Sequence, residues 1–174
     1  TSFSAQVQMA ALEAMGEYTG TVAVYNYKTG ELICAVSTPN FDPDNVPDIA
    51  ADDSGKYDGV YLNRFTQVTY TPGSIFKVVT TAAALESVPD ILNRTFTCTG
   101  RVEYGTEAVT CEHAHGTVNL QSALARSCNC AFYAMGSSLG AKKIVAKAAG
   151  FGFGDNVVCC SGFDESGGNL PRKA

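Results

Sequence analysis

The chain has 174 residues, of which 45% are hydrophobic and 17% charged, and its formal net charge is −5 at pH 7. These values are typical of one globular domain with a buried core. The acidic balance provides no basic stripe for nucleic acid and argues against anionic membrane surfaces as partners. The sequence has no apolar run of about 18 residues, the length that predicts a membrane-spanning helix. Because it starts at Thr1 rather than methionine, it is expected to be a piece from which any targeting segment was removed.

The first part of the chain is predicted to form one helix and one hairpin. Residues 4–15 combine good helix formers with an apolar face, and Gly16 is a suitable stop. Two runs of alternating β-branched and aromatic residues at 21–27 and 31–37 predict a β-hairpin. Residues 39–59 are rich in Pro, Asp, Asn and Gly, which predicts a long surface loop.

The second part is predicted to be mainly helical. A helix is expected to start at Pro72-Gly73 and to stop before Pro89, and residues 95–113 favour a short β excursion. Three further helices are predicted at 119–126, 129–138 and 140–149. This order of elements indicates an α+β fold. Since an isolated hairpin is marginally stable, the sheet is expected to gain strands from elsewhere.

The most informative segment is T-P-G-S-I-F-K, residues 71–77. On a helix, Ser74 and Lys77 are three positions apart, so they share one face and their side-chain ends can meet. A serine hydroxyl needs a neighbouring base to act as a nucleophile, and a lysine can serve where burial or a nearby cation lowers its pKa. By itself S-x-x-K is weak evidence, because an N-capped helix with a solvated lysine has the same pattern.

A second polar pair, Ser127 and Asn129, falls between two predicted helices. The Ser127 hydroxyl can relay a proton between Lys77 and a leaving amine, and the Asn129 amide can hold a substrate carbonyl. Taken alone, this pair also fits an ordinary helix cap.

Together, S-x-x-K at 74–77 and S-x-N at 127–129 resemble the signature of serine penicillin-binding transpeptidases and β-lactamases. The resemblance covers nearly the whole chain. NYKTGELICAVSTPNFDP is similar to the family's first hairpin and loop, and YLNRFTQVTYTPGSIFKVVTTAAALE to its nucleophile helix with the lead-in. HGTVNLQSALARSCNCAFYAMGSSLGAKKI is similar to the helical subdomain of class B enzymes. The resemblance implies that Ser74 is the acylated nucleophile, Lys77 its base, and Ser127 and Asn129 the second motif, with no cofactor.

The resemblance also implies a partial β-lactamase/transpeptidase-like fold, with 1–174 as the N-terminal portion of a single transpeptidase domain. Its expected parts are a helix and hairpin of the central antiparallel sheet at 1–38, a loop at 39–70, the nucleophile helix and helical subdomain at 71–150, and a loop at 151–174. The missing strands are expected in a C-terminal half or a second chain, because the hairpin has an unpaired edge and an exposed apolar face. That face comprises Val22, Val24, Leu32, Cys34 and Val36.

Two further patterns imitate family motifs. K-T-G at 28–30 spells the third motif, but in the family that motif lies on a strand well after S-x-N, and nothing after residue 150 supplies it. The chain alone is therefore expected to be a poor catalyst. Glu165 and Asn169 imitate the spacing of a class A β-lactamase deacylation loop, but FDESGGNLP more closely resembles a transpeptidase loop, which leaves no evident deacylating base.

The chain has seven cysteines, an odd number that leaves at least one unpaired. Four candidate metal ligands fall close together in the sequence: Cys98, Cys111, His113 and His115. The favoured interpretation is a Cys98–Cys111 disulfide that closes a hairpin. The alternatives are a structural zinc site formed by the four residues, and free thiols. Cys128 and Cys130 flank Asn129 and can lie near enough to join such a site.

The predicted function is that of a peptidoglycan D,D-transpeptidase at the extracytoplasmic face of the bacterial membrane. Ser74 would attack the acyl-D-Ala-D-Ala bond of a stem peptide, release D-Ala and pass the acyl group to an amine on a neighbouring strand. β-Lactams would acylate the same serine. The alternatives on the same fold are a β-lactamase and a non-catalytic β-lactam sensor or scaffold.

Overall fold

A computed structural model describes residues 2–155 and 166–171. The described chain contains helices and short antiparallel strands, which confirms the predicted α+β class. It divides into two compact units, a first unit of residues 2–69 with Ser166 and a second unit of residues 70–155 with 167–171. Among the described residues, none of the helices combines the length and the apolar character needed to cross a bilayer.

The first unit contains the predicted helix and hairpin. Helix α1 spans Ala5–Met15, and the Ser4 side chain caps it by accepting a hydrogen bond from the Val7 N–H at 3.4 Å. Strands β1 (Gly20–Tyr25) and β2 (Leu32–Thr38) pair antiparallel, and the register shifts between Val24 and Tyr25. The predicted boundaries are therefore correct to within about two residues, the accuracy that cap and turn signals usually allow.

The apolar face of the hairpin differs from the prediction. Helix α1 packs on it, so Cys34 and Val36 are only 0% and 8% exposed and form a small core with Met15. Val24 remains partly exposed at 38%. The prediction of an exposed apolar face is therefore wrong for Cys34 and Val36, because residues of helix α1 cover them.

The second unit begins with a 3-10 turn, Gly73–Phe76, which leads into helix α2, Lys77–Ser87. The α-helix therefore starts four or five residues later than predicted. Helices α3 (Leu120–Ala125), α4 (Asn129–Leu139) and α5 (Ala141–Gly150) confirm the other three predictions. The core of this unit centres on Phe132 and Met135 of α4, which are 6% and 2% exposed.

The β segment predicted at 95–113 contributes to two separate pairs of strands. Strand β3 (Thr95–Cys98) pairs with β6 (Gly116–Asn119), and β4 (Arg101–Tyr104) pairs with β5 (Glu107–Thr110). The ends of β3, β5 and β6 carry the cysteines and histidines singled out from the sequence. Asn119 ends β6 and also caps α3 with Ser122 in a reciprocal capping box, so the strand continues directly into the helix.

Candidate active site

Ser74 and Lys77 lie where the 3-10 turn passes into α2. Gly73 has φ 56°, a left-handed conformation that glycine adopts without strain, and it turns the chain sharply into Ser74. The Ser74 side chain is exposed, whereas Lys77 is buried, with 8% of its surface exposed. Lys77 Nζ lies 3.0 Å from Ser74 Oγ. The structure thus brings these two predicted residues into direct contact.

The Lys77 amine is surrounded by oxygen atoms of the second motif. Besides Ser74 Oγ, its Nζ lies 2.7 Å from Ser127 Oγ, 3.0 Å from the Ser127 carbonyl and 2.6 Å from Asn129 Oδ1. A charged ammonium has three protons to donate, fewer than the four oxygens around it. This arrangement suits an amine that donates to the carbonyl oxygens and accepts from a hydroxyl.

The surroundings of Lys77 change its acidity. Burial is the largest influence and lowers the pKa of Lys77, and the neighbouring Cys111 and Cys128 thiols oppose this without reversing it. The Phe132 ring lies beneath the amine, 5.7 Å from Nζ to the ring centroid. A lowered pKa increases the fraction of neutral amine, the form whose lone pair can accept a proton from Ser74.

Ser127 occupies a strained position at the end of α3. Its φ is 50°, in the left-handed region where glycine is the usual residue. Its N–H bonds the Leu124 carbonyl at 3.0 Å, and the next N–H, that of Cys128, bonds the Ala123 carbonyl at 2.8 Å. This pair of bonds is the Schellman pattern that terminates a helix, and it directs both the carbonyl and the hydroxyl of Ser127 at Lys77.

Asn129 is the first residue of α4 and connects three elements. Its Oδ1 accepts a hydrogen bond from Lys77, and its Nδ2 donates one of 2.7 Å to the carbonyl of Thr110, at the end of β5. Both ends of the amide are therefore fixed. Sequence reasoning missed the Thr110 carbonyl, because a backbone acceptor has no signature in the side-chain pattern.

Three polar groups form a closed triangle. Ser74 Oγ and Lys77 Nζ are 3.0 Å apart, Lys77 Nζ and Ser127 Oγ are 2.7 Å apart, and the Ser127 hydroxyl donates to Ser74 Oγ at 2.9 Å. Each group can exchange a proton with the other two without moving. The triangle can therefore activate the exposed Ser74 hydroxyl and return the proton to a leaving group.

A cluster of thiols and an imidazole lies on the same elements. Cys98 Sγ is 3.7 Å from Cys111 Sγ and 3.5 Å from His115 Nδ1, and Cys111 Sγ is 3.9 Å from Cys128 Sγ. Because a disulfide requires an S–S distance of about 2.05 Å, the predicted Cys98–Cys111 bond is not formed, and both residues are free cysteines. His113 is not in this group, and its ring stacks edge-on against His115 with centroids 4.6 Å apart.

The thiols of the cluster differ in acidity. Burial alone would raise the pKa of Cys98, but hydrogen bonds, led by those from the backbone N–H groups of His115 and Gly100, lower it to about 6. Burial is the main cause that raises the pKa of Cys128 to about 11 and that of Cys130 to about 12. The cluster therefore combines one thiol of lowered pKa with thiols whose pKa is raised by burial.

The remaining sequence patterns lie elsewhere. The K-T-G tripeptide at 28–30 forms the turn between β1 and β2 in the first unit, where Lys28 is exposed. Asn169 is exposed in a segment without regular secondary structure. Glu165, its partner in the imitated deacylation loop, lies outside the described residues, as do Cys159 and Cys160.

Comparison with known proteins assigns this arrangement to a family. Residues 20–172 match the family described as the penicillin binding protein transpeptidase domain. The chain is similar to the peptidoglycan D,D-transpeptidase PbpA of Mycolicibacterium smegmatis, with 37% identity over 175 residues covering 87% of this chain and 35% of that protein. It thus spans about a third of that relative's length.

Solved structures agree with the family match. The D,D-transpeptidase domain of a peptidoglycan glycosyltransferase from Eggerthella lenta has a TM-score of 0.77 and 30% identity, covering 89% of this chain and 38% of that one. Penicillin-binding protein A from Mycobacterium tuberculosis, solved as a penicillin G acyl-enzyme complex, has a TM-score of 0.72 and 28% identity, covering 89% and 40%. These similarities confirm the predicted transpeptidase-like fold.

Proposed function

We propose that this chain, which belongs to the penicillin-binding protein transpeptidase domain family, carries the acylation machinery of a peptidoglycan D,D-transpeptidase. The observation that carries the proposal is the triangle of Ser74 Oγ, Lys77 Nζ and Ser127 Oγ, with sides of 3.0, 2.7 and 2.9 Å. Acyl transfer through a serine needs a nucleophile, a base within hydrogen-bond reach and a group that can reprotonate the leaving amine.

In the acylation step, Ser74 Oγ attacks the carbonyl carbon of the penultimate D-Ala of a stem peptide. The neutral Lys77 amine takes the hydroxyl proton as the new C–O bond forms. The C–N bond to the terminal D-Ala then breaks, and the Ser127 hydroxyl passes the proton from Lys77 to the leaving nitrogen. Burial of Lys77 supports its part in this step, because it favours the amine over the ammonium before attack.

In the second step, an amine on a neighbouring stem peptide attacks the acyl ester. The proton of that amine returns to Ser74 Oγ by the same route in reverse, which restores the free enzyme and leaves a peptide crosslink. The Asn129 amide supports this cycle by holding Lys77 and Thr110 together while the proton moves. The second N–H of the Asn129 amide, which the Thr110 carbonyl leaves free, is proposed to bind a substrate carbonyl.

β-Lactams are proposed as inhibitors that acylate Ser74. The ring-opened nitrogen remains tethered to the acyl group, so it does not diffuse away as D-Ala does. The penicillin G acyl-enzyme of the mycobacterial penicillin-binding protein A supports this proposal. Because stem peptides are part of the cell wall, the proposed site acts at the extracytoplasmic face of the bacterial membrane.

The proposal is tested with the full-length protein, a stem pentapeptide ending in D-Ala-D-Ala and an acceptor amine. Release of D-Ala and formation of the crosslinked product are followed by mass spectrometry. Replacing Ser74 by alanine is expected to abolish both, since no other group can form the acyl ester. The matched control is Ser87→Ala, which removes a serine hydroxyl from the last residue of α2 and is expected to retain activity. Undiminished crosslinking by the Ser74→Ala protein would contradict the proposal.

A further inference from the structure

Four side chains from four different segments converge beside the second motif. Cys98 ends β3, Cys111 follows β5, His115 precedes β6, and Cys128 caps α4. Their ligand atoms all lie within 4.8 Å of one another. We infer that these four residues bind one zinc ion in a closed structural site. The inference does not depend on the proposed acyl transfer.

The distances within the cluster match tetrahedral zinc. Zn–S bonds of about 2.3 Å and Zn–N bonds of about 2.0 Å place two sulfur ligands about 3.8 Å apart and a sulfur and a nitrogen ligand about 3.5 Å apart. The S–S distances here are 3.7 Å for Cys98 with Cys111 and 3.9 Å for Cys111 with Cys128. The distance from Cys98 Sγ to His115 Nδ1 is 3.5 Å. Three of the six pairs of ligand atoms are therefore already at the spacing that one central ion requires, and the other three pairs lie within 4.8 Å.

The backbone around Gly100 joins the segments that carry Cys98, Cys111 and His115. The turn closes because Gly100, at φ 92°, lets the chain approach the Ala114 backbone; an added Cβ would lie 3.3 Å from the Ala114 nitrogen. The Cys111 N–H also donates to the Gly100 carbonyl at 2.9 Å, which joins the two ligand segments.

The fourth ligand, Cys128, is held in place by burial and by a backbone hydrogen bond. Cys128 is fully buried, and its sulfur accepts a hydrogen bond from the Ala131 N–H at 3.4 Å at the start of α4. Cys111 and His115 are partly exposed, which provides a route for the ion to enter. Binding displaces the thiol protons of the three cysteines to solvent.

The composition of the cluster selects the ion and argues against a disulfide. Three thiolates and one imidazole are ligands that zinc prefers, whereas Mg²⁺ and Ca²⁺ prefer oxygen. A Cys98–Cys111 disulfide would use two of the thiols and leave Cys128 and His115 without a shared partner. A tetrahedral ion engages all four groups at once, and with four protein ligands it has no open position for catalysis.

The site would also support the second motif. Cys128 lies between Ser127 and Asn129, and Cys111 directly follows Thr110, whose carbonyl accepts the Asn129 amide. The ion would therefore fix the positions of both partners of that hydrogen bond, the Asn129 amide and the Thr110 carbonyl. If the proposed function holds, loss of the ion is expected to slow acylation of Ser74 through a displaced turn; this consequence rests on the proposed function, whereas zinc binding itself does not.

The test is to measure metal content in the full-length protein, expressed with zinc in the medium and purified without chelator. We expect close to one zinc per chain and a thermal midpoint that falls by roughly 10 °C or more when a strong chelator removes it. Replacement by Co²⁺ is expected to produce thiolate-to-cobalt charge-transfer absorption and the intense visible bands of a tetrahedral sulfur-rich site. These readouts use the unmutated protein, so they do not depend on whether a variant folds.

Two matched pairs of variants identify the ligands. His115→Asn is expected to lose the metal, whereas His113→Asn, two residues away, is expected to keep it. Cys128→Ala is expected to lose it. Cys130→Ala is expected to keep it, because Cys130 Sγ lies 3.6 Å from Cys111 Sγ but is not one of the four ligand atoms that all lie within 4.8 Å of one another. Protein with well under one-fifth of an equivalent of zinc, a Cys98–Cys111 disulfide in a non-reducing peptide map, or equal metal loss in both members of a pair would overturn the inference.

Discussion

Replacing Lys77 by arginine is expected to slow the acylation of Ser74 by a fluorescent penicillin about 10²- to 10⁴-fold, the usual contribution of a general base. Arginine keeps the positive charge but does not give up its proton, so it cannot accept one from the Ser74 hydroxyl. The measurement is the second-order rate of labelling, read from the fluorescent band at a series of times. Burial of Lys77 makes it necessary to compare the thermal midpoints of the two proteins as well.

The matched control for this variant is Lys147→Arg. Lys147 lies on α5 of the same unit and forms an ion pair with Glu86, which arginine can also make. Labelling of the Lys147→Arg protein is expected to stay within about twofold of the unmutated rate, as for most surface substitutions. Near-normal labelling of a folded Lys77→Arg protein would mean that Lys77 supports the site without acting as its base.

The second large effect is expected at Ser127, where the hydroxyl and the backbone can be tested separately. Ser127→Ala and Ser127→Gly both remove the hydroxyl that bridges Lys77 and Ser74, so both are expected to slow acylation about 10²-fold. They differ in backbone strain, because only glycine adopts φ 50° without cost. The glycine variant is expected to be about 1 kcal/mol more stable than the alanine variant in denaturant unfolding.

This pair of variants discriminates between two roles for Ser127. If Ser127 only shapes the end of α3, the glycine variant should be acylated at the unmutated rate, because it fits the left-handed turn. If its hydroxyl carries the proton, the more stable glycine variant should be as slow as the alanine variant. Unmutated rates in both variants would remove Ser127 from the proton path.

The elements of the fold could be predicted largely because their signals are local. Ser4 and Gly16 bound α1, and the alternating runs around the turn at 28–30 set the hairpin. The 3-10 turn before α2 was not predicted, because Gly73 and Ser74 fit the first turn of either helix type. Packing of α1 on the hairpin was missed as well, since it depends on contacts that no local pattern records.

In the candidate site, too, the residues with a local signal could be predicted, whereas contacts between distant segments could not. Ser74 and Lys77 were predicted from an i, i+3 spacing, and the structure places Lys77 Nζ within 3.0 Å of Ser74 Oγ. The cysteine and histidine cluster was predicted from residues adjacent in sequence, which put His113 into the set. In the folded chain His113 stacks outside it. Cys128, which the sequence offered as a further ligand, joins the group because α4 begins against the end of β5. Only the fold shows which of these residues meet.

The central claim is that Ser74 is the nucleophile, and the most direct measurement is the position of the penicillin adduct. The full-length protein is incubated with penicillin, its intact mass is recorded over time, and the adduct is located by peptide mapping. We expect one penicilloyl group per chain on Ser74 that persists after free penicillin is removed, as for a transpeptidase rather than a β-lactamase. An adduct on Ser127 or on any cysteine, or labelling of the Ser74→Ala protein at the unmutated rate, would contradict the account. Rapid loss of the adduct with turnover of penicillin would instead identify a β-lactamase.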